Sequence, residues 1–283
     1  MCQFPTIIRD LLQDKKLDVK DVQEIRLRLG LPVIVYIDGK ELLFSDIKPN
    51  RDDFNEMLEL ATNHSLYAYE SEIGNGFITI SGGHRIGLCG KYTIKDNGLG
   101  AFQNIAYANF RIAHDIRGCS DKLFRELHCD DELYDTIIIS PPGCGKTTML
   151  RDLIRNISDG KDTFTGRSIG VCDERFELAA FFDGQPQNYL GLRSDIISGC
   201  DKENAIDMLI RTMSPRVIAI DELGVNEYDK IPKLKYSGCN IIATIHGSSI
   251  SDVERKLDIH EFKRAVILSL RNGPGTVEGV IAL

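Results

Sequence analysis

The segment Ser140-Pro141-Pro142-Gly143-Cys144-Gly145-Lys146-Thr147-Thr148 sets small residues around one lysine and ends on two hydroxyls. A triphosphate carries several negative charges that must be approached without steric obstruction. Small residues let successive backbone N–H groups turn inward, and a following helix presents its positive N-terminal end. In such a phosphate loop Lys146 reaches the β- and γ-phosphates of ATP, and the Thr147 hydroxyl holds Mg2+. The segment departs from the G-x-x-x-x-G-K-[ST] pattern at its first position, where Ser140 replaces glycine. The tightest phosphate approach falls at Gly143 and Gly145, so the serine is compatible with the motif.

Three further polar groups end short apolar runs. Asp221-Glu222 follows Val217 to Ile220, Asp173-Glu174 follows Ile169 to Cys172, and His246 follows Ile241 to Ile245. Ligands of open α/β sheets bind outside the carboxyl ends of the strands. One acid of Asp221-Glu222, taken as Asp221, is expected in the Mg2+ shell. The other, Glu222, polarises the attacking water. Asp173, Glu174 and His246 are read as further groups of the same crevice. Each has a plainer alternative: Asp221 and Asp173 can cap helices, and a lone histidine can be structural.

The elements that must carry these residues follow from pattern. Tyr134 to Ser140 is a β-branched run, and Met149, Leu150, Leu153, Ile154 and Ile157 share one helical face. Ile206, Leu209, Ile210 and Met213 make a second helical stripe. Strands alternating with helices imply a mostly parallel sheet with helices on its faces. Val266 to Leu270, a turn at Asn272-Gly273-Pro274-Gly275 and Val277 to Leu283 are expected to close the sheet as an edge hairpin.

The first part of the chain has a different grammar. Leu31 to Ile37 runs into Asp38-Gly39 and returns at Leu42 to Phe44, the signature of a hairpin. Phe77 to Ile80 and Arg85 to Cys89 form another around Gly82-Gly83, and Asn109 to Ala113 reads as a strand. Phe54, Met57, Leu58 and Leu60-Ala61 have helical spacing. The reading is an α+β domain over 1–115, a linking region over 116–132 and an α/β domain over 133–283.

Composition narrows the function classes. The 283 residues carry a net charge of −8 and are 42% hydrophobic. An acidic chain of pI near 5.3 argues against a dedicated nucleic-acid binder, which needs dense lysine and arginine. Eight cysteines are scattered without a C-x-x-C pair, a pattern suited to a reducing cytoplasm rather than a disulfide or zinc scaffold. The start, Met1-Cys2-Gln3-Phe4-Pro5, lacks the features of a signal peptide. With no run of about 18 apolar residues, direct membrane insertion is not expected, and membrane association would come through a partner.

Cys172-Asp173-Glu174-Arg175, Arg211 to Pro215 leading into Ile220-Asp221-Glu222, and Ala243-Thr244-Ile245-His246-Gly247 resemble the aspartate box, Walker B region and histidine box of secretion-type ATPases. Glu24 to Arg28, Gly82 to Gly90, Asn109 to Ala113 and Gly273 to Glu278 are similar to the AA family of stage III sporulation proteins of endospore-forming bacteria. That resemblance covers nearly the whole chain. It implies an N-terminal α+β domain, a RecA-like motor domain and a homo-hexameric ring. It also implies docking from the mother-cell cytoplasm onto integral membrane proteins of the channel to the forespore. In secretion-type ATPases arginines of the N-terminal domain approach the phosphates, and the resemblance makes Arg85 and Arg111 candidates for that role; surface pairing with nearby acids is their plainer alternative. The box at Asp173-Glu174 reverses the usual Glu-Asp order, so it leaves open which carboxylate acts. A P-loop kinase, a RecA-like nucleic-acid motor and a nucleotide-sensing scaffold are the competing readings of the same loop.

Overall fold

The computed structural model describes residues 3–94 and 100–283; Met1, Cys2 and 95–99 lie outside the described residues. The chain forms two compact units. The first runs to Asp115 and takes in Ala180–Gln187; the second comprises Ile116–Ala179 and Asn188–Leu283.

In the first unit, strands β1 (Val22–Arg28), β2 (Val33–Ile37), β3 (Lys40–Phe44), β4 (Phe77–Ile80), β5 (His84–Ile94) and β6 (Gly100–Arg111) form one sheet in the order β3-β2-β1-β6-β5-β4. Its paired strands run antiparallel. Asp38 and Gly39 both take positive φ, 51° and 72°, as a two-residue hairpin turn demands. Strand β1 was not among the strands read from the sequence, yet its alternation is plain: Ile25 and Leu27 are buried, while Glu24 and Arg26 face outward. Helices α1 (Thr6–Asp14) and α2 (Arg51–Ala61) supply Ile8, Leu11, Phe54 and Met57 to the core over that sheet. Asn50 caps α2, accepting from the N–H groups of Asp52 and Asp53 while Asp53 accepts in return. A short hairpin, Phe181–Phe182 with Gln185–Pro186, belongs to this unit although the second unit flanks it in sequence.

In the second unit, strands β7 (Thr136–Ser140), β8 (Ile169–Asp173), β9 (Ser194–Ser198), β10 (Val217–Ile220), β11 (Asn240–His246), β12 (Arg264–Ser269) and β13 (Thr276–Ala282) form a sheet ordered β9-β8-β10-β11-β7-β12-β13. Its pairs are parallel except β12 with β13, an antiparallel edge. The fold is α/β of the P-loop type, with a mostly parallel sheet and a preceding α+β portion. Strands β7 and β10 are buried along their whole length, as strands covered on both faces must be. Helices α3 (Lys146–Asp159) and α4 (Lys202–Met213) pack on this sheet. At Gly170 a β-carbon would sit 2.8 Å from Ile218 Cδ1 and 3.1 Å from Leu209 Cδ1, so the glycine sets how closely α4 and β10 approach β8.

The segment 116–132, read from sequence as a linking region, is built into the second unit. Leu123, Phe124 and Leu127 are buried, and α3 holds the segment through Asp152. The Asp152 carboxylate is 3% exposed and accepts from Gly118 N–H, from the N–H and Oγ–H of Ser120, and from Arg155. Burial raises this carboxyl, but the donors at Ser120, Arg155 and Gly118 outweigh it and hold it below the ordinary aspartate value. Such a group stabilises the fold above its unfolded pKa, and that stability is lost as pH falls through the lower folded value. Asp152→Asn is expected to lower stability by about 3 kcal/mol near neutrality. In urea melts the gap to wild type should narrow below about pH 4. A gap independent of pH would show that the charge is not what matters.

Candidate nucleotide site

The carboxyl ends of β7, β8, β10 and β11 carry the polar groups. β7 delivers the loop 140–148. Gly143 and Gly145 have φ of 76° and 82°, left-handed conformations that a β-carbon disfavours. Nothing lies within 4 Å of where a β-carbon on Gly143 would stand, so this stretch of backbone is open to a ligand. Gly145 is the N-cap of α3, and no side chain caps that end, which leaves the first-turn N–H groups to an anion. Ser140 is fully buried, its Oγ donating to Pro141 O and its carbonyl accepting from Gly247 N–H. These two bonds tie the start of the loop to the neighbouring backbone. Pro142 is exposed and Cys144 is buried.

Lys146 is 6% exposed, with Nζ 3.2 Å from His246 Nε2 and 3.6 Å from Glu222 Oε1. The same His246 nitrogen lies 2.8 Å from Glu222 Oε1. One ring nitrogen serves both neighbours, and it donates to Glu222 only when it carries the proton. Arg175 Nη1 closes the other side at 2.5 Å from Glu222 Oε2. Burial raises the Glu222 carboxyl, but the hydrogen bond with His246 and the charges of Arg175 and Lys146 outweigh it. The group is thus held below the usual glutamate range.

Asp221 takes a different set of partners. Its Oδ2 accepts from Thr147 Oγ1 at 2.9 Å and its Oδ1 from Thr244 Oγ1 at 2.5 Å. The threonine hydroxyl beside the phosphate loop and the strand acid are therefore already adjacent. A hard cation with oxygen ligands suits that pair.

Asp173 and Glu174 diverge. Asp173 is 3% exposed, and its oxygens accept from the N–H groups of Glu177, Leu178 and Ala179 and from Ser198 Oγ. It anchors the loop that follows β8. Glu174 is exposed and lies 3.3 Å from Lys202 Nζ. Arg85 and Arg111 belong to the first unit, where they face each other across β5 and β6. The Arg85 guanidinium stands 3.7 Å from the Phe77 ring centroid, and Arg111 Nε is 3.7 Å from Glu24 Oε1.

Four contributors escaped the sequence reading as site groups. Lys202 donates to Glu222 O at 2.7 Å, Thr244 Oγ1 accepts from Glu222 N–H, and Arg175 pairs with Glu222. Gly275 N–H donates to Cys144 O at 2.7 Å, so the C-terminal turn props the phosphate loop. The Gly273-Pro274-Gly275 spacing was the one available signal for that turn.

A family model described as Sporulation stage III, protein AA matches residues 3–282. The chain belongs to that family. The Stage III sporulation protein AA of Bacillus subtilis (strain 168) is 35% identical to this member over 267 residues, which are 92% of this chain and 86% of that protein. Among solved structures, the Legionella pneumophila ATPase DotB superposes with a TM-score of 0.60 at 12% identity, covering 93% of this chain and 76% of that one. The pilus retraction motor PilT with bound ADP gives a TM-score of 0.59 at 16% identity, covering 91% and 77%. At such identities the likeness is one of fold: this chain has the architecture of those two proteins. Among the described residues no helix is long and apolar enough to cross a membrane.

Proposed function

We propose that this chain is an ATP-hydrolysing motor of the secretion-ATPase kind, acting in endospore formation. One observation carries the reading: Lys146, Thr147 with Asp221, and Glu222 with His246 converge at one edge of the parallel sheet, beside an uncapped helix N-terminus. Lys146 supplies a fixed cation to the β- and γ-phosphates, and the backbone of Pro141 to Thr148 cradles them. Glu222 accepts a hydrogen bond from the attacking water and orients it in line. His246 keeps the Glu222 carboxylate aimed. Thr147 and Asp221 are the residues that would hold Mg2+, whose contribution there is to offset charge on the phosphate oxygens. Asp173 acts from behind, fixing the loop that carries Glu174 and Arg175.

The family resemblance supports a homo-hexameric ring on the cytoplasmic, mother-cell side. In this reading integral membrane proteins of the sporulation channel recruit it, and its turnover drives assembly or transport through that channel. Arg111 and Arg85 are proposed to stabilise charge on the γ-phosphate, from the same subunit or a neighbour.

ATPase rate and mass by light scattering, measured on the same samples over a range of concentrations, test the motor. Activity should rise with assembly, and Arg111→Ala should lower it at least about tenfold at every concentration with nucleotide binding intact. A fully active monomer would favour a kinase or another simple enzyme. Unchanged rates for both Arg111→Ala and Arg85→Ala would remove the arginines from the mechanism.

A further inference from the structure

Lys202 occupies a position that needs a reason. It is 8% exposed, so its ammonium has lost most of its water. It is also the first residue of α4, where the helix dipole repels a cation. Two contacts offset these costs. Nζ donates to Glu222 O at 2.7 Å and lies 3.3 Å from Glu174 Oε2.

Glu222 has an unusual backbone. Its φ is +55°, in the left-handed region that residues with a β-carbon seldom adopt. Such conformations persist only where the surroundings over-determine them, and they cluster at functional sites. Here the residue is gripped at both ends of its main chain. Its N–H donates to Thr244 Oγ1 at 2.8 Å, and its carbonyl accepts from Lys202. The next N–H, of Leu223, donates to Thr244 O at 2.7 Å. With φ fixed in this way, the side chain leaves the strand end toward His246, Lys146 and Arg175.

We propose that Lys202 is a positioning residue for ATP turnover, holding Glu222 O so that the glutamate keeps its left-handed backbone and its aim. The proposal rests on the reading of Glu222 as the residue that orients water. Through Glu174 the same ammonium also links the segments that follow β8 and β10. Without it, the Glu222 carbonyl loses its buried donor, and the main chain relaxes toward ordinary φ. A displacement of about 1 Å in a reacting group can cost up to about a hundredfold in rate.

The test is steady-state ATPase kinetics on full-length Lys202→Met, Lys202→Arg and the Lys202→Met/Glu222→Gln double variant. Affinity is read separately with a fluorescent ATP analogue. Lys202→Met should lower kcat by about ten- to a hundredfold, with KM and affinity within about twofold of wild type, since no phosphate contact is removed. Lys202→Arg should recover part of that loss by restoring charge and donor. The double variant should be no slower than Glu222→Gln alone, because both changes act through one side chain. A wild-type kcat for Lys202→Met overturns the proposal, as does a double variant in which the two losses multiply. Should Lys202→Met fail to fold, Lys202→Ala, which also removes the donor to Glu222 O, carries the kinetic test: a lowered kcat at unchanged affinity supports the proposal and a wild-type kcat overturns it. Wild-type turnover by Glu222→Gln would instead sink the reading of Glu222. In that event a crystal structure of a Lys202 variant still decides the positioning: Glu222 leaving the left-handed region supports it, and Glu222 unmoved overturns it.

Discussion

Lys146→Ala is expected to abolish measurable ATP hydrolysis, a loss of at least about a hundredfold by the scale of other fixed charge-stabilising donors. The lysine is almost fully buried at the start of α3, against Glu222 and His246. As charge develops on the transferred phosphoryl, a cation already desolvated and aimed stabilises it without reorganising. Alanine keeps the helix, being the best helix former. Arg175 and His246 remain to hold the Glu222 carboxylate, so the strand ends should not move far. The variant should therefore melt like wild type while losing turnover. A wild-type hydrolysis rate would mean that the loop 140–148 does not bind the reacting phosphates. Loss of the fold along with activity would leave the loop assignment to Thr147→Ala. That change removes the hydroxyl shared with Asp221 and should weaken Mg2+-dependent nucleotide binding.

Some of this site was legible in the residue string because the signal was local. A phosphate loop is one continuous segment, and Asp221, Glu222 and His246 each close an apolar strand, so sheet geometry brings them to one edge. What stayed hidden depends on packing between distant segments. Thr244 sits within a buried strand, where a threonine reads as a β-branched filler; only the neighbouring β10 turns its hydroxyl into a partner for Asp221. Lys202 lies on a helix before that strand, with no spacing rule to link it to Glu222 O. Asp173 and Glu174 are adjacent in sequence, and their separate fates follow from alternation at a strand end, one pointing inward to the loop amides and one outward. The hairpin at 181–186 packs with a unit whose sheet ends some seventy residues earlier. Strand β1 differs: the alternation of Ile25 and Leu27 with Glu24 and Arg26 is local, and only its place in the sheet depends on distant segments.

Glu222→Gln should retain nucleotide affinity and lose turnover by at least about a hundredfold, the scale of a positioned base. The amide has the shape of the carboxylate and the same backbone demands, so Lys202 and Thr244 should keep residue 222 in place. What changes is the inventory of acceptors. The native carboxylate meets three cationic or potentially cationic groups, Lys146 and His246 on Oε1 and Arg175 on Oε2. A glutamine has one acceptor oxygen, and its NH2 must face one of those donors. The less costly orientation turns NH2 toward Arg175, whose side chain is 61% exposed and free to swing into water. The oxygen then stays with His246 and Lys146, and the lysine remains aimed at the loop. Binding should thus survive, since Lys146, the α3 N-terminus and the Thr147–Asp221 pair are untouched. Turnover should not, because a single neutral oxygen already engaged by His246 is a poor acceptor for a water proton. Nucleotide titration and single-turnover hydrolysis on the same preparation separate the two effects. A variant that loses affinity along with turnover would show that Glu222 chiefly holds the loop in shape. A variant that hydrolyses ATP at the wild-type rate would take Glu222 out of the chemistry.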